Sequence, residues 1–435
     1  MRIVLWMVAV TSVAACGSVS SNPDANTHHD ATIDGTPTAC PAGVTSMCSG
    51  DNLITCDSSG AITNTTACAL GCDATAAPRC LKLSASNGVT PYLDESATAP
   101  DLVLMGSATI DTDAVSIVDQ SGARTAPTVV MTASLPVPVL VIKAKTFATG
   151  GAVTVTGSRA LAIVVDGDIT ISHVISVSAP LVGNGPGALP TDAVGKGGDG
   201  ALGTMEGMSG GGGGGFGTAG GRGGTGGVPT VNGGNPGGVS VASTLIPLRG
   251  GSPGGHPGNT STSYSPGGGG GAIQLVSNTS ITLAANGIIS ANGGGARGPS
   301  NFACIVNTPC GHGEGGGAGG GVLLEAPSVT MDATAGIYAN GGGGTCGVNG
   351  SAESGKNSTT PAAGQVCGGA TGNGGNGAAG ATPALNGGNV SGDNAVGGGA
   401  GGGLGRIRVN LKAGVTFSPA GTTSGALTAG AVGTR

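Results

Sequence analysis

Cysteines are the residues of this 435-residue chain with the clearest chemical potential, because a thiol can form a disulfide, bind a metal or carry a lipid. There are 11 of them, and six lie in one short segment with 7, 7, 11, 3 and 7 residues between them. These six are Cys40, Cys48, Cys56, Cys68, Cys72 and Cys80. About forty residues cannot bury a sufficient apolar core, so the spacing predicts three disulfides. Fifteen connectivities are open. Zinc is disfavoured because the segment has no histidine and no Cys-x-x-Cys pair.

Four further cysteines, Cys304, Cys310, Cys346 and Cys367, lie in glycine-rich sequence. Two disulfides that pin these segments are the expected arrangement. A metal site is the alternative at Cys310, His312 and Glu314, which place donors on alternate residues. A disulfide-bonded turn explains the cysteine more simply, so no metal ligand is predicted.

Catalytic groups are sparse. Asp166, Asp168, Glu325 and Asp332 are scattered acids without an evident basic partner, whereas polysaccharide lyases need clustered carboxylates with Lys or Arg. Residues 350–358 resemble a phosphate loop, but Asn357 stands where Ser or Thr would bind magnesium. The sequence predicts no catalytic residue and no cofactor.

Composition restricts the function classes further. The chain has 93 glycines, 9% charged and 2% aromatic residues, against about 25% charged residues in an ordinary domain. The net charge is −6, and no Lys/Arg cluster is present, which argues against nucleic-acid binding. This composition is typical of an extracellular structural protein.

The first residues indicate export. Arg2 precedes an apolar run over residues 3–15, too short to span a bilayer but suited to a signal peptide. Val13-Ala14-Ala15-Cys16 resembles the lipobox of bacterial lipoproteins. The resemblance implies cleavage before Cys16 and its acylation. It also implies retention in the outer membrane, since Asp is absent after the cysteine, with surface exposure as the expected location. An ordinary cleaved signal peptide is the alternative. Ten cysteines then remain, an even number.

Four segments follow from these patterns: a signal peptide over 1–15, a polar tether over 16–39, a disulfide module over 40–80 and a β-region over 98–435. The module resembles small six-cysteine modules of exported bacterial surface proteins. Whether it is a spacer or binds a ligand stays open.

The β-region is predicted from period-2 alternation of Val, Ile and Thr, with no helical period. Three copies of a pattern start at Ile169, Ile281 and Val329, each with an apolar residue eight positions later, and a degenerate fourth copy contains residues 415–417. Repeated short strands predict an all-β, parallel β-solenoid in which Ile281, Leu283 and Ile289 stack on Val329, Met331 and Ile337. The pattern resembles right-handed β-helices of the pectate-lyase-like and adhesin type. A twisted β-sandwich is the alternative.

Long glycine-rich excursions separate these copies. Flexible loops are one interpretation, and ordered, hydrogen-bonded polyglycine helices are the other. The second resembles the glycine-rich domain of the anaplastic lymphoma kinase family. Together the patterns predict a lipid-anchored surface protein with a structural or adhesive role, no nucleic-acid partner, and a cell-surface or extracellular polysaccharide as a candidate partner. A polysaccharide-active lyase or hydrolase is the alternative.

Overall fold

The structure is a computed structural model that describes residues 39–75, 77–131, 136–203, 207–258, 265–298, 313–346, 350–367 and 371–435. The described chain is nearly all β, with parallel sheets. Within these residues no helix combines the length and apolarity needed to cross a bilayer. The predicted signal peptide and almost all of the predicted tether lie outside the described residues.

The first cysteine-rich segment forms five short antiparallel strands. They are β1 (Ser46–Ser49), β2 (Asn52–Cys56), β3 (Ile62–Ala67), β4 (Cys72–Asp73) and β5 (Arg79–Cys80). β1, β2 and β3 form one sheet, and β4 pairs with β5. Ile54 is the fully buried residue of its small core, beside Cys40 and Cys56. Because this core is so small, covalent links must supply much of the module's stability.

A connector leads from the module to the main β-region. It contains β6 (Leu83–Ser84), a 3₁₀ turn over Ser86–Gly88, and helix α1 (Thr90–Ser96). The sequence patterns did not predict α1, because seven residues are too few to establish a helical period. Pro91 lies in the first turn of this helix, where its missing N–H costs nothing, and Leu93 is fully buried.

The main β-region has three parallel sheets that the chain visits in rotation. The first sheet contains β7 (Leu102–Leu104), β13 (Phe147–Thr149), β16 (Ile169–Ile171), β19 (Ser280–Leu283) and β22 (Ser328–Met331). The second contains β8 (Ala108–Asp111), β14 (Val153–Thr156), β17 (Val174–Ser176), β20 (Ile288–Ser290), β23 (Gly336–Tyr338) and β25 (Thr422–Ser424). The third contains β12 (Val139–Ala144), β15 (Ala160–Val165), β18 (Ala272–Ser277), β21 (Gly321–Glu325), β24 (Arg406–Leu411) and β26 (Ala426–Ala431).

Antiparallel strands flank this arrangement on its N-terminal side. β9 (Ser116–Asp119) and β10 (Gly122–Arg124) extend the second sheet, and β11 (Thr128–Met131) extends the third. Arg124 donates a hydrogen bond to the Val103 carbonyl, and the Met105 N–H donates to Asp119. These side chains occupy backbone groups in and just after β7, the edge strand of the first sheet, that would otherwise be free to pair with another chain.

The stacking predicted from the repeated pattern is confirmed. Ile281 pairs with Ile169 on one side and Val329 on the other, and Leu283 pairs with Met331. Ile289 pairs with Ile337. All of these except Val329 are buried, and Val329 packs against the same core. The predicted fourth copy is wrong in part: residues 415–417 form no strand, although Phe417 packs against the core and Val415 is exposed.

The central strands β15, β18 and β21 of the third sheet are buried on both faces, which explains their largely apolar sequences. On β15, Leu161, Ile163 and Val165 face the core between the sheets. Ala160, Ala162 and Val164 face a second core, which α1, Phe216 and Leu248 cover. Strands with two buried faces read as apolar runs instead of alternating.

Within the described residues, the glycine-rich excursions are ordered by backbone hydrogen bonds. In residues 210–215, consecutive backbone N–H groups donate to different neighbouring segments, and every third N–H donates to the same segment. Gly210 and Gly213 donate to the carbonyls of Gly224 and Gly221, respectively. Gly211 and Gly214 donate to those of Gly313 and Gly316. Gly212 and Gly215 donate to those of Gly198 and Gly195. A three-residue repeat is that of the polyproline II helix, in which no bond is internal. These segments therefore form a packed lattice, and the ordered interpretation applies to the described parts of the excursions.

Side chains are excluded from this lattice. A Cβ atom on Gly211, Gly212 or Gly213 would overlap a backbone carbonyl of Gly255, Asn235 or Gly401, respectively. Glycine is needed here because neighbouring backbones approach too closely for any side chain, as in collagen.

Candidate functional site

The cysteine positions show four disulfide bonds in the described chain. Three lie in the module: Cys40–Cys56, Cys48–Cys72 and Cys68–Cys80. The fourth, Cys346–Cys367, joins two glycine-rich segments. Cys16, Cys304 and Cys310 lie outside the described residues. The pairing within the module could not have been read from the spacing, which left fifteen connectivities open.

The four scattered acids do not form a common site. Asp168 accepts hydrogen bonds from Thr279 (2.7 Å) and Ser280 (2.7 Å), which lower its pKa. Asp332 accepts bonds from the N–H and hydroxyl of Thr334 in its own turn, and these lower its pKa. Asp166 accepts a bond from Asn278 (3.1 Å). Asp166 and Asp168 therefore link the turn before β16 to the equivalent turn before β19, whereas Asp332 stabilises its own turn.

Glu325 is fully buried but fully satisfied. Its carboxylate accepts bonds from Ser86 Oγ (2.7 Å), Gln274 Nε2 (2.7 Å) and Asn410 Nδ2 (3.0 Å). Gln274, Glu325 and Asn410 project from β18, β21 and β24 on the face that the connector covers. This network attaches the connector to the third sheet, and a buried carboxylate with this many donors is stabilised in place.

An ionic cluster at the edge of the glycine lattice was not predicted, apart from Glu314. The Glu314 side chain is fully buried, and its Oε2 lies 3.4 Å from His256 Nδ1. The backbone N–H of His256 donates to Asp199 Oδ1 (2.9 Å), and Lys196 Nζ lies 3.7 Å from the same carboxylate oxygen. Glu314 raises the pKa of His256, and burial raises the pKa of Glu314. Because these residues come from different lattice segments, no spacing in the sequence reveals the cluster.

This cluster brings two acids, Glu314 and Asp199, together with two bases, His256 and Lys196. A carboxyl group with a raised pKa beside a histidine can exchange a proton. The Glu314 carboxylate is sealed from solvent, however, so it cannot touch a polymer bound outside. Among the described residues, no group of three or more His, Cys, Asp or Glu side chains has the arrangement to hold a metal ion.

A second buried pair stabilises the lattice from within. Arg249 Nη1 donates to Asp192 Oδ2 (2.7 Å), and Ser252 donates to the same oxygen (3.1 Å). Burial raises the pKa of Asp192, but the nearby Ser240 hydroxyl, the hydrogen bond from Arg249 and the Arg249 charge outweigh it and lower the pKa to about 2. The Arg249 guanidinium also lies 5.6 Å from the centre of the Phe216 ring.

Hydroxyl groups form a ladder across the outer face of the second sheet. Strand register places one hydroxyl residue on each of six successive strands: Thr109, Thr154, Ser176, Ser290, Tyr338 and Ser424. Thr109 and Thr154 are exposed, whereas Ser290, Tyr338 and Ser424 are buried under the later glycine-rich segments. Parallel strands hold such groups about 4.8 Å apart.

The ladder opens into a groove where the covering segments end. Thr154, Thr156, Ser176 and Ser178 form its hydroxyl floor, and Ala179, Pro180 and Pro186 form its wall. Its volume is about 220 Å³, and its lining carries no charged side chain. A 2.6 Å hydrogen bond between the Ser178 and Ser290 hydroxyls holds Ser178 in place.

No family model, curated protein or solved structure matches the chain.

The functional interpretation therefore depends on the geometry of this chain. The groove offers donors and acceptors on a fixed, uncharged floor, which suits a neutral, hydroxyl-bearing ligand. Aligning the strand cores places Thr154, Ser176 and Ser290 side by side, so the ladder was within reach of the sequence pattern. The groove was not, because its wall comes from the segment that follows β17.

Proposed function

We propose that the protein is a non-catalytic cell-surface lipoprotein with a structural or adhesive role, anchored through Cys16, and that residues 98–435 form a right-handed parallel β-solenoid. The observation that carries the proposal is the combination of two rigid arrays in one chain. Strands stack in register in three sheets, and glycine segments pack in a hydrogen-bonded lattice against them.

The solenoid interpretation is supported by the path of the chain. β12, β13 and β14 enter the third, first and second sheets in turn, and β15, β16 and β17 then repeat that order one strand further along. Successive repeats bury their inward-facing apolar residues against one another, as neighbouring repeats of a solenoid do.

An adhesive role is supported by the open end of the hydroxyl ladder. Rigid, uncharged hydroxyls cost little entropy to order on binding, because Thr and Ser side chains are short and already fixed by the strands. A neutral polysaccharide at the cell surface or outside it is the partner that we propose for this face.

Membrane fractionation tests the anchor. Cys16→Ser should release the chain from the outer membrane or block its processing, while the matched change Ser18→Ala should leave it there. Retention of Cys16→Ser with the membrane at the wild-type level would contradict the anchor.

Adhesion is tested by sedimentation of the acylation-free full chain with insoluble cellulose and chitin. We expect retention that falls when Thr154 and Thr156 are both replaced by valine, which keeps the shape but removes the hydroxyls. Thr282→Val, on the outer face of the first sheet, is the control. Equal retention of all variants would show that the ladder is not the adhesive face.

A polysaccharide-active enzyme is the second candidate, and the acid–base cluster at Glu314 is the observation that favours it. Release of reducing or unsaturated ends from polysaccharide, abolished in Glu314→Gln, would establish it. We favour the non-catalytic role because Glu314 is inaccessible from outside.

A further inference from the structure

A crevice lies where the disulfide module, the connector and the main β-region meet. We call it the junction crevice. Its volume is about 250 Å³. Lys82, Asp94, Asp166 and Asn278 contribute polar groups to its lining, and Leu70 and Leu81 contribute aliphatic ones. Small-molecule sites occur preferentially where separate parts of a fold meet, and this volume suits a ligand smaller than a typical drug.

The elements that form the crevice are fixed to one another. β6 pairs with β27 (Gly433–Thr434), and the backbones of Lys82 and Arg435 exchange two hydrogen bonds of 3.0 Å. Arg435 forms an ion pair with Asp94 of α1, and Lys412 forms one with Asp51 of the module. The walls are therefore held from both sides before any ligand binds, which reduces the entropic cost of binding.

The charges around the crevice are unevenly paired. Asp94 is engaged by Arg435, whereas Lys82 has no ion-pair or side-chain hydrogen-bond partner among the described residues. Asp166 accepts one bond, from Asn278 to Oδ1, and its Oδ2 has no partner within the described chain. Lys82 and Asp166 line the same crevice without forming an ion pair with each other. One uncommitted cation and one uncommitted anion thus border the same apolar wall.

The wall is aliphatic. Leu70 and Leu83 are almost fully buried, at 7% and 1% exposed, so the aliphatic surface open to a ligand is that of the half-buried Leu81. A ligand that fits this lining carries an amine, a carboxylate and a small apolar group. An amino acid or a dipeptide has this chemistry.

We propose that the junction crevice binds a small zwitterionic ligand of the amino-acid or dipeptide class. Its amine pairs with Asp166, its carboxylate pairs with Lys82, and its apolar side chain lies against Leu81. This proposal is independent of the adhesive role, since it uses neither the hydroxyl ladder nor the lipid anchor.

Calorimetric titration of the full mature chain with leucyl-alanine tests the proposal. N-acetyl-leucyl-alanine, which lacks the amine, and leucyl-alaninamide, which lacks the carboxylate, are the paired probes. We expect each modification to weaken binding about tenfold, as expected for loss of one charge-assisted hydrogen bond. Asp166→Asn should abolish the preference for the free amine, and Lys82→Gln should abolish the preference for the free carboxylate.

Matched controls separate recognition from folding. Asp168→Asn changes an acid two residues away that Thr279 and Ser280 already engage, and Lys145→Gln changes an exposed lysine outside the crevice. Both should bind all three probes as the wild type does, with unfolding temperatures equal to those of the crevice variants. Absence of leucyl-alanine binding at millimolar concentration would overturn the proposal, and so would equal affinity for the three probes in the wild type.

Discussion

Replacing Ile281 with alanine tests whether the inward-facing side chains of the stacked strands form a buried core that stabilises the fold. Ile281 is 0% exposed and lies between Ile169 and Val329 in adjacent strands. The change removes three carbon atoms, each worth about 0.8 kcal/mol of transfer free energy, or about 2.4 kcal/mol in total. Strands on both sides prevent the cavity from collapsing, so the free-energy cost of the cavity adds to the transfer free energy. We expect a loss of about 3–5 kcal/mol in the free energy of unfolding.

Thr282→Ala is the matched control, because Thr282 is the next residue on the same strand and faces outward. It is only partly buried, and its hydroxyl accepts a 3.2 Å hydrogen bond from Thr330. Its loss should cost about 0.5 kcal/mol or less. Urea unfolding followed by far-UV circular dichroism measures both variants. Similar, negligible effects for Ile281→Ala and Thr282→Ala would refute the buried-face assignment.

Three further outcomes follow from the lattice and the ionic groups. Gly213→Ala should destabilise the chain by about 1–3 kcal/mol or more, because the added Cβ would overlap a lattice carbonyl. Gly238→Ala should be tolerated, since its Cβ would lie 3.4 Å from the nearest atom. Thermal unfolding compares the two variants. Asp192 has a pKa lowered from 3.8 to about 2, so its stabilising contribution is present above pH 4 and is lost as the pH falls towards 2; Asp192→Asn should destabilise at pH 7 and lose that effect near pH 2. Peptide mapping without reduction should recover Cys346 linked to Cys367, and a free thiol at either position would contradict the structure.

The repeated strand pattern was predictable because its information is local and periodic. The spacing from Ile281 to Ile289 recurs from Val329 to Ile337, and parallel stacking brings equivalent residues together. Residues 415–417 share the pattern yet form no strand. Their residue types match the pattern, but the first sheet ends at β22 and these residues do not extend it.

The candidate sites were less predictable, because their residues converge only through the fold. His256 and Glu314 are separated by 57 other residues, and lattice packing alone places them 3.4 Å apart. The junction crevice likewise combines Lys82 of the connector with Asp166 of a strand turn. A pattern read along the chain cannot supply such distances. The hydroxyl ladder is intermediate, since its register is repetitive but its burial depends on which segment covers it.

The glycine lattice explains how a chain so poor in aromatic and charged residues can be ordered. Ordering a glycine costs more backbone entropy than ordering any other residue, so a glycine-rich segment folds only if other interactions offset that cost. Here nearly every lattice residue donates a backbone bond to a different segment, and close backbone approach adds dispersion contacts. Both gains require the absence of a side chain, so the residue that raises the entropic cost is also the one that permits the compensation. It follows that the lattice should tolerate substitution at its rim, as at Gly238, and resist it inside, as at Gly213. Rigidity of this kind suits a surface whose ligand meets groups already in place.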